Sequence, residues 1–263
     1  MRHWQAAVRN IPAELILVDN NSTDGTPSLI RSTFNTARII PLGNNTGFAA
    51  AANRGAREAR GDFLLFLNPD AELDSDAVEA LLDVVSNEPR AGLVSGRLRY
   101  PDGRFQSSCR RLPTKGNLLF SRGGLLSRLP SITNSDRYTL PDHKQVTIVP
   151  AAAATVAMIR RQTFAQLGGF DERFFLFMED TDLCQRLNQA GFVNLFVPHA
   201  GAVHYWGRGS ETGKWRRAVC HHTAMWRYFR KHHPGWYTTV ILPVLLTGNC
   251  LIVGLLPDRR VEV

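Results

Sequence analysis

Between residues 14 and 99 the chain alternates short apolar runs with helix-length segments, and this alternation limits the possible folds more than any other feature. ELILVD (14–19), ARIIPL (37–42), DFLLFLN (62–68) and AGLVSGRLR (91–99) have the length and content of buried strands. Helix signals lie between them. Thr26 and Pro27 combine a hydroxyl cap with a proline at the first helical position, for a helix to about Phe34. Phe48 to Arg60 is alanine-rich, and Ser75 opens a helix to about Asn87. Strands alternating with helices predict an α/β fold: a mainly parallel, Rossmann-like sheet flanked by helices. In such sheets ligands bind past the carboxyl ends of the strands. Asp19 and Asp70 both fall there.

Residues 101–145 break the rhythm. They are rich in Pro, Gly, Ser and Arg, with an apolar patch at 117–126, and read as a long surface excursion. A strand pattern returns at Ala154–Ile159, then a short helix at Gln162–Leu167. A helix from Asp180 to Ala190, closed by Gly191, precedes a strand at 192–198 and a helix from Trp215 to His232.

A hydrophobic fraction of 44% with 21% charged residues excludes a disordered chain. The net charge of +8 favours anionic partners. No basic stretch carries the interleaved aromatics of a nucleic-acid reader, so nucleic acid is not expected among them. Cys109, Cys184, Cys220 and Cys250 form no CxxC, and a reducing compartment fits them. The opening MRHWQAAVRNIP lacks the apolar core of a signal peptide. Val240 to Leu256 is uncharged and follows the basic, aromatic WRYFRKHHPGW. A spanning helix needs ~20 apolar residues, so this run is at the short limit. Trp236, Tyr237 and the preceding basic residues have the character of interface anchors. A membrane-seated segment, spanning or interfacial, is expected; a buried terminal helix is the alternative.

Four stretches could carry chemistry. VDNNSTDGT (18–26) places Asp19 at a strand exit, as a solvated turn or as an acceptor for the imide N–H of uracil or thymine. It lacks the spacing of a glycine-rich phosphate loop. LNPDAEL (67–73) places Asp70 past a strand, either to open a helix turn or to hold a hard divalent cation. GAVHYWGRGS (201–210) places His204 at the end of a strand unit, where a lone histidine is ordinarily structural. LGGFDERFFLFMEDTDLC (167–184) packs five acids among four phenylalanines. Glu179 and Asp180 open a helix there, where the dipole favours negative charge. A desolvated carboxylate at such a place suits a general base.

Taken in order, VDNNSTDGT, NNTGFAAAANRG, FLLFLNPD, LGGFDERFFLFMEDTDLCQRLNQAG and VHYWGRGS resemble the family 2 glycosyltransferases of GT-A fold, and most of all their rhamnosyltransferase-like members. The resemblance spans residues 14–210. It implies inverting transfer of a sugar, rhamnose among the choices, from a UDP- or dTDP-sugar to a hydroxyl of a lipid-linked or polysaccharide acceptor, with Mg²⁺ or Mn²⁺. Carried over by motif, Asp19 contacts the base, and Asn45, Gly47, Asn53 and Asn68 lie near the donor. Asn68 stands where the family's Asp-x-Asp motif has its first acid, which leaves Asp70 as the metal carboxylate, with His204 as second ligand. Asp180 of the Glu179–Asp180 pair is the base. Gly168, Gly169 and Phe170 shape the acceptor side. Asp182 and Glu172 are structural partners of Arg173 and Arg186.

The resemblance divides the chain into a GT-A domain over 1–212 and a C-terminal helix with an apolar, membrane-associated segment over 213–263. It places the protein at the cytoplasmic face of the bacterial inner membrane. It also exposes a departure. Family members begin with a strand and a Tyr-Asn-type turn, whereas this chain starts inside the following helix. An empty slot between the strands at 14–18 and 62–67, with a true start upstream, is the expectation. An inactive homologue that binds nucleotide or partners, and a sugar-phosphate nucleotidyltransferase, are the alternatives.

Overall fold

The structure, a computed structural model, describes residues 2–34, 36–114, 140, 142–205 and 213–255. Its strands are β1 (Ile16–Asp19), β2 (Arg38–Pro41), β3 (Phe63–Leu67), β4 (Ala71–Leu73), β5 (Ala91–Arg99), β6 (Phe105–Gln106), β7 (Cys109–Arg110), β8 (Thr147–Val149), β9 (Ala151–Ala152), β10 (Val156–Arg160) and β11 (Val193–His204). Its helices are α1 (Arg2–Ala7), α2 (Thr26–Thr33), α3 (Phe48–Glu58), α4 (Ala77–Asn87), α5 (Arg161–Gln166), α6 (Glu179–Gln189), α7 (Lys214–His232), α8 (Trp236–Thr239) and α9 (Ile241–Leu255). The patch at 117–126, the WGRGS run at 206–210 and everything after residue 255 lie outside the described residues.

The main sheet has seven strands, with β3-β10-β5-β11-β4 in order, β6 on β5 and β8 on β11. It is mixed, which corrects the expectation of a mainly parallel sheet. β5 and β11 run parallel, while β10 runs antiparallel to both β3 and β5, and β4 antiparallel to β11. The physical reason lies in β10. It comes from the second half of the chain and inserts between the two strands that the alternation would make neighbours. Apolar content shows that a strand is buried on both faces but not which way it runs.

Side chains alternate across the sheet and feed two cores. Val94, Leu98, Val156 and Leu195 meet Leu81 and Val85 of α4 and the partly buried Trp4 of α1 on one face. Leu93, Ala157 and Ile159 meet Leu183 and Leu187 of α6, Phe164 of α5 and Ala49 of α3 on the other. Each fully buried Leu or Ile contributes about 1.5–3 kcal/mol of apolar transfer. A third cluster joins Phe174 and Met178 to Met225, Tyr228 and Phe229 of α7 and Leu242 of α9.

β1 and β2 pair in parallel as a separate two-stranded sheet. Among the described residues β1 is laddered only to β2, and β3 only to β10. Helix and side chain bridge the two sheets instead. Gly55 of α3 lies against Val18, while Ala52 and Ala56 pack with the core that holds Leu64. Glu14 Oε1 accepts the N–H groups of Arg60 at 2.6 Å and Gly61 at 3.2 Å.

α9 is apolar and helical, as expected, but at 15 residues it is about 22 Å long, against the ~30 Å of a bilayer core. No helix among the described residues is long and apolar enough to cross a membrane.

Candidate active site

At the end of β1 the Asp19 carboxylate accepts the Ser22 N–H at 3.0 Å. The turn it closes carries Asn21 at a φ of 68°. The neighbouring Asn20 does most of the local work. Its Nδ2 donates to the Gly47 carbonyl at 3.1 Å, and its Oδ1 accepts the Thr46 N–H at 2.8 Å. Asn20 thus ties the turn after β1 to the NNTG loop, a role the sequence reading did not assign. Asn45 Oδ1 accepts the Gly47 N–H at 3.0 Å and folds that loop on itself.

Gly47 is constrained twice. Its φ of 85° with ψ of 173° is a glycine-only conformation. A Cβ there would also stand 2.2 Å from the Phe175 carbonyl oxygen, the acceptor of the Phe48 N–H at 2.9 Å. Gly47→Ala is expected to cost at least the ~1–3 kcal/mol of such backbone strain. Thermal unfolding measures it; an unchanged melting temperature would show that the loop yields freely.

The next group forms because β4 pairs with β11, setting His204 opposite Ala71 and therefore beside Asp70. Both side chains are nearly buried, at 6% and 9% exposure, with His204 Nε2 3.3 Å from Asp70 Oδ1. His204 Nδ1–H donates to Gln106 Oε1 at 2.7 Å. An imidazole nitrogen and a carboxylate oxygen this close share a proton or flank a cation. One carboxylate and one imidazole are donor types that a divalent ion accepts. Among the described residues no group of three or more His, Cys, Asp or Glu gathers that could hold an ion. Water and substrate phosphates would have to complete the coordination. Asn68 stabilises the turn through its backbone, donating to the Thr155 carbonyl at 2.9 Å and accepting the Ala71 N–H at 3.1 Å.

Glu179 and Asp180 occupy the first turn of α6, as expected, and their environments differ. Burial first, and then the Asp180 charge, push the Glu179 carboxyl up to about 8. Its Oε2 is buried with no hydrogen-bond partner among the described residues. Burial thus favours the neutral form of Glu179, which leaves Asp180 as the candidate base of the pair. Asp180 is an ion-paired carboxylate. Its Oδ1 takes a short contact from Arg110 and the Thr181 N–H at 2.6 Å. Arg110 Nε also donates to Thr181 Oγ1 at 2.9 Å. These bonds fall on Oδ1, so Oδ2 is the oxygen available to receive a proton.

Gln106 and Arg110 belong to one short segment. The first supports His204 and the second supports Asp180. Four residues of extended chain span at most about 14 Å. One short segment thus supports both the candidate cation pair and the candidate base. Both supports escaped the sequence reading because 101–110 was taken as the start of an excursion; no apolar period marks so short a pair of strands.

The acceptor-side residues are sorted differently from the expectation. Phe170 is 1% exposed and packs against Phe48, Phe66 and Phe164 at ring-centroid distances of 5.6, 5.0 and 5.2 Å. It is core rather than pocket wall. Gly168 and Gly169 turn the chain at φ of 75° and 72°. Asn53 is a clamp on this loop and not a free donor-side amide. It accepts the Phe170 N–H at 2.9 Å, and its Nδ2 donates to the Phe170 carbonyl at 2.8 Å and to Glu172 at 2.9 Å.

The mixed aromatic and acidic stretch now resolves. Phe170 feeds the sheet core, Phe174 feeds the α7–α9 core, Phe175 lies under the Arg216 guanidinium, and Phe177 meets the His221 ring at 5.6 Å. Four of the five acids turn to cations, and Glu179 is the exception. Asp171 pairs with Arg173 and Lys231, chiefly through Arg173, which holds its carboxyl below the usual range. Asp182 pairs with Arg186 as expected, while Glu172 reaches Arg57 and Arg173 belongs to Asp171.

The family model described as Glycosyl transferase family 2 matches residues 5–168. The N-acetylglucosaminyl-diphospho-decaprenol L-rhamnosyltransferase of Mycobacterium tuberculosis is 31% identical over 243 residues, 86% of this chain and 77% of that protein. Rhamnosyltransferase WbbL of Escherichia coli is 29% identical over 172 residues, 64% of this chain and 61% of its own. Two solved structures share the fold at a TM-score of 0.56. The mannosyltransferase PcManGT from Pyrobaculum calidifontis, in complex with GDP-Man and Mn²⁺, is 19% identical, with 96% of this chain and 68% of that one covered. GalNAc-T7 with UDP, GalNAc and Mn²⁺ is 16% identical; the match covers 94% of this chain and 54% of that one. The chain belongs to glycosyl transferase family 2 and is a rhamnosyltransferase-like glycosyltransferase.

Proposed function

We propose that the chain transfers a sugar, rhamnose foremost, from a UDP- or dTDP-sugar to a hydroxyl of a lipid-linked or polysaccharide acceptor in cell-envelope glycan synthesis. Transfer proceeds with inversion at the cytoplasmic face of the inner membrane. The observation that carries this reading is the segment bearing Gln106 and Arg110, which supports His204 beside Asp70 on one side and Asp180 on the other. Likeness to the N-acetylglucosaminyl-diphospho-decaprenol L-rhamnosyltransferase of M. tuberculosis supports rhamnose and a lipid-carried acceptor.

Asp19 and the NNTG loop tied to it by Asn20 would receive the nucleotide end. Asp70 and His204 would hold Mg²⁺ or Mn²⁺, which when bound neutralises charge on the leaving diphosphate. Asp180 Oδ2 takes the proton of the acceptor hydroxyl as that oxygen attacks the anomeric carbon opposite the diphosphate. Arg110 fixes the carboxylate through Oδ1 so that Oδ2 keeps its aim. The alternative of a nucleotide-binding homologue without turnover draws on one observation, the single-sided ladders of β1 and β3 beside the nucleotide end.

A nucleotide-sugar panel read by thermal shift tests the proposal. At 100-fold over its Kd the right donor with Mn²⁺ adds about 2.7 kcal/mol of stability, several degrees of melting temperature. Asp70→Ala is expected to abolish the metal-dependent part of that shift. A variant that responds to Mn²⁺ and donor as the parent does would remove Asp70 from the site, and measured transfer separates the enzyme from the silent binder.

A further inference from the structure

We propose that the outer face of α9, bracketed by Trp236 and Trp215, seats the protein on an anionic phospholipid bilayer, with the helix lying in the plane of the interface. α9 carries no charged residue, yet only one side is used internally. Leu242 and Cys250 are buried, and Leu242 packs into the cluster of Met225, Tyr228 and Phe229. Ile241, Val244, Leu245, Leu251, Ile252 and Leu255 are 37–78% exposed. At 3.6 residues per turn they fall on one side of the helix, in two groups separated by the exposed Thr247 and Gly248. Large aliphatic side chains gathered on one outer side mark a surface that meets something apolar.

Two tryptophans bound this surface. Trp236, 73% exposed, opens α8 beside the start of α9. Trp215, 46% exposed, lies against Gly254 at the far end, where a Cβ would come within 2.3 Å of its ring. Gly254 is the place where the Trp215 ring fits flat on the helix. Tryptophan prefers the level of lipid headgroups, where its ring is half in apolar and half in polar surroundings.

Charge selects the occupant. Residues 213–255 contain Lys214, Arg216, Arg217, Arg227, Arg230 and Lys231 and not one Asp or Glu. Lys231 is paired inside the fold with Asp171 and Asp182. A second copy of this chain would set the other five basic residues against their like, whereas an anionic leaflet attracts them. The length of α9 suits lying on the bilayer. The seat is also fixed relative to the chemistry: Arg216 lies over Phe175 and His221 against Phe177, in the loop leading into Asp180. If the transferase reading above holds, the bilayer presents a lipid-carried acceptor beside the base; binding to lipid itself does not rest on that reading.

Co-sedimentation of the full chain with vesicles tests this without any sugar nucleotide. Vesicles of phosphatidylglycerol and phosphatidylcholine should carry the protein down, and vesicles of phosphatidylcholine alone should carry at least tenfold less. Val244→Glu with Leu251→Glu, two exposed positions, should lower partition into anionic vesicles more than tenfold while leaving the melting temperature unchanged. Trp236→Ala should reduce the blue shift of emission on binding, leaving the part that Trp215 supplies. Equal partition of parent and double variant overturns the proposal. So does parent protein that stays in the supernatant, including the case where light scattering shows a dimer that the double variant breaks. A chain that binds vesicles but does not transfer sugar keeps the seat and loses the activity.

Discussion

Replacing Asp180 by Asn is expected to lower sugar transfer by about 10²–10⁴-fold while donor binding stays intact. The substitution suits the site because the two oxygens of Asp180 do different jobs. Oδ1 is held by Arg110 and by the Thr181 N–H, and an asparagine oxygen can keep both bonds. What is lost is the second oxygen as a proton acceptor. Helix α6 should therefore keep its place, and thermal unfolding should show little change. Glu179→Gln is the sharper companion. Glu179 already holds its proton at neutral pH because burial, and then the Asp180 charge, raise it to about 8. A neutral amide of the same shape should leave turnover close to that of the parent. Steady-state transfer with both variants decides the matter: a dead Glu179→Gln beside an active Asp180→Asn would reverse the roles. Arg110→Gln should fall between them, since it loosens the aim of the base without removing it.

The positions of the elements were readable in the chain far better than their partners. AGLVSGRLR became β5 over the same residues, 91–99, and Asp180–Ala190 with Gly191 became α6 over Glu179–Gln189. Period and punctuation carry that information. Strand direction is not in the pattern, so β10 entering between β3 and β5 was unreadable. The same limit applies to the site. Asp70 stood out as an acid past an apolar run, whereas His204 by itself read as structural and entered only through the resemblance; the pairing of β4 with β11 is what sets the two side by side. Gln106, Arg110 and Asn20 were not legible, because a side chain that supports another needs no local signature. Phe170 was misplaced for a related reason. A row of phenylalanines among acids shows that burial occurs but not into which core each ring goes, and Phe170 and Phe174, four residues apart, enter different ones. Thr26 was read as the cap of α2, whereas Asp24 accepts the Thr26 N–H at 3.0 Å and supplies the cap-like bond.

The largest expected loss of stability comes from Asp182, which makes no contact with the chemistry. Its side chain is 0% exposed, and it accepts from Arg186 at 2.8 Å, Lys231 at 2.6 Å and His232 at 2.7 Å. Burial opposes its charge, but the bonds from His232 and Lys231 outweigh that and leave its carboxyl below the usual value. Asp182→Ala removes the anion that Arg186, Lys231 and His232 share, leaving the Arg186 guanidinium without its carboxylate and Lys231 with Asp171 alone. Breaking a buried pair in this way costs about 3–5 kcal/mol, a large part of the ~5–15 kcal/mol that holds a domain together. At roughly 2–4 °C per kcal/mol for a chain of this size, the melting temperature should fall by about 6–20 °C. The pH dependence has a definite sign. A carboxyl lowered in the folded state contributes stability that is present above its unfolded pKa, near 4, and lost as pH falls through its folded value. Asp182→Asn should therefore flatten the acid limb of the stability profile. The consequence is more than thermal, because Lys231 also bonds Asp171 at 2.8 Å. The cluster locks the loop leading into Asp180 to α6 and to α7, and α7 carries the apolar face of α9. Urea unfolding of the variant beside the parent measures that lock. A melting temperature within a degree or two of the parent would mean that packing of Phe174, Tyr228 and Phe229 alone holds the C-terminal helices to the active site.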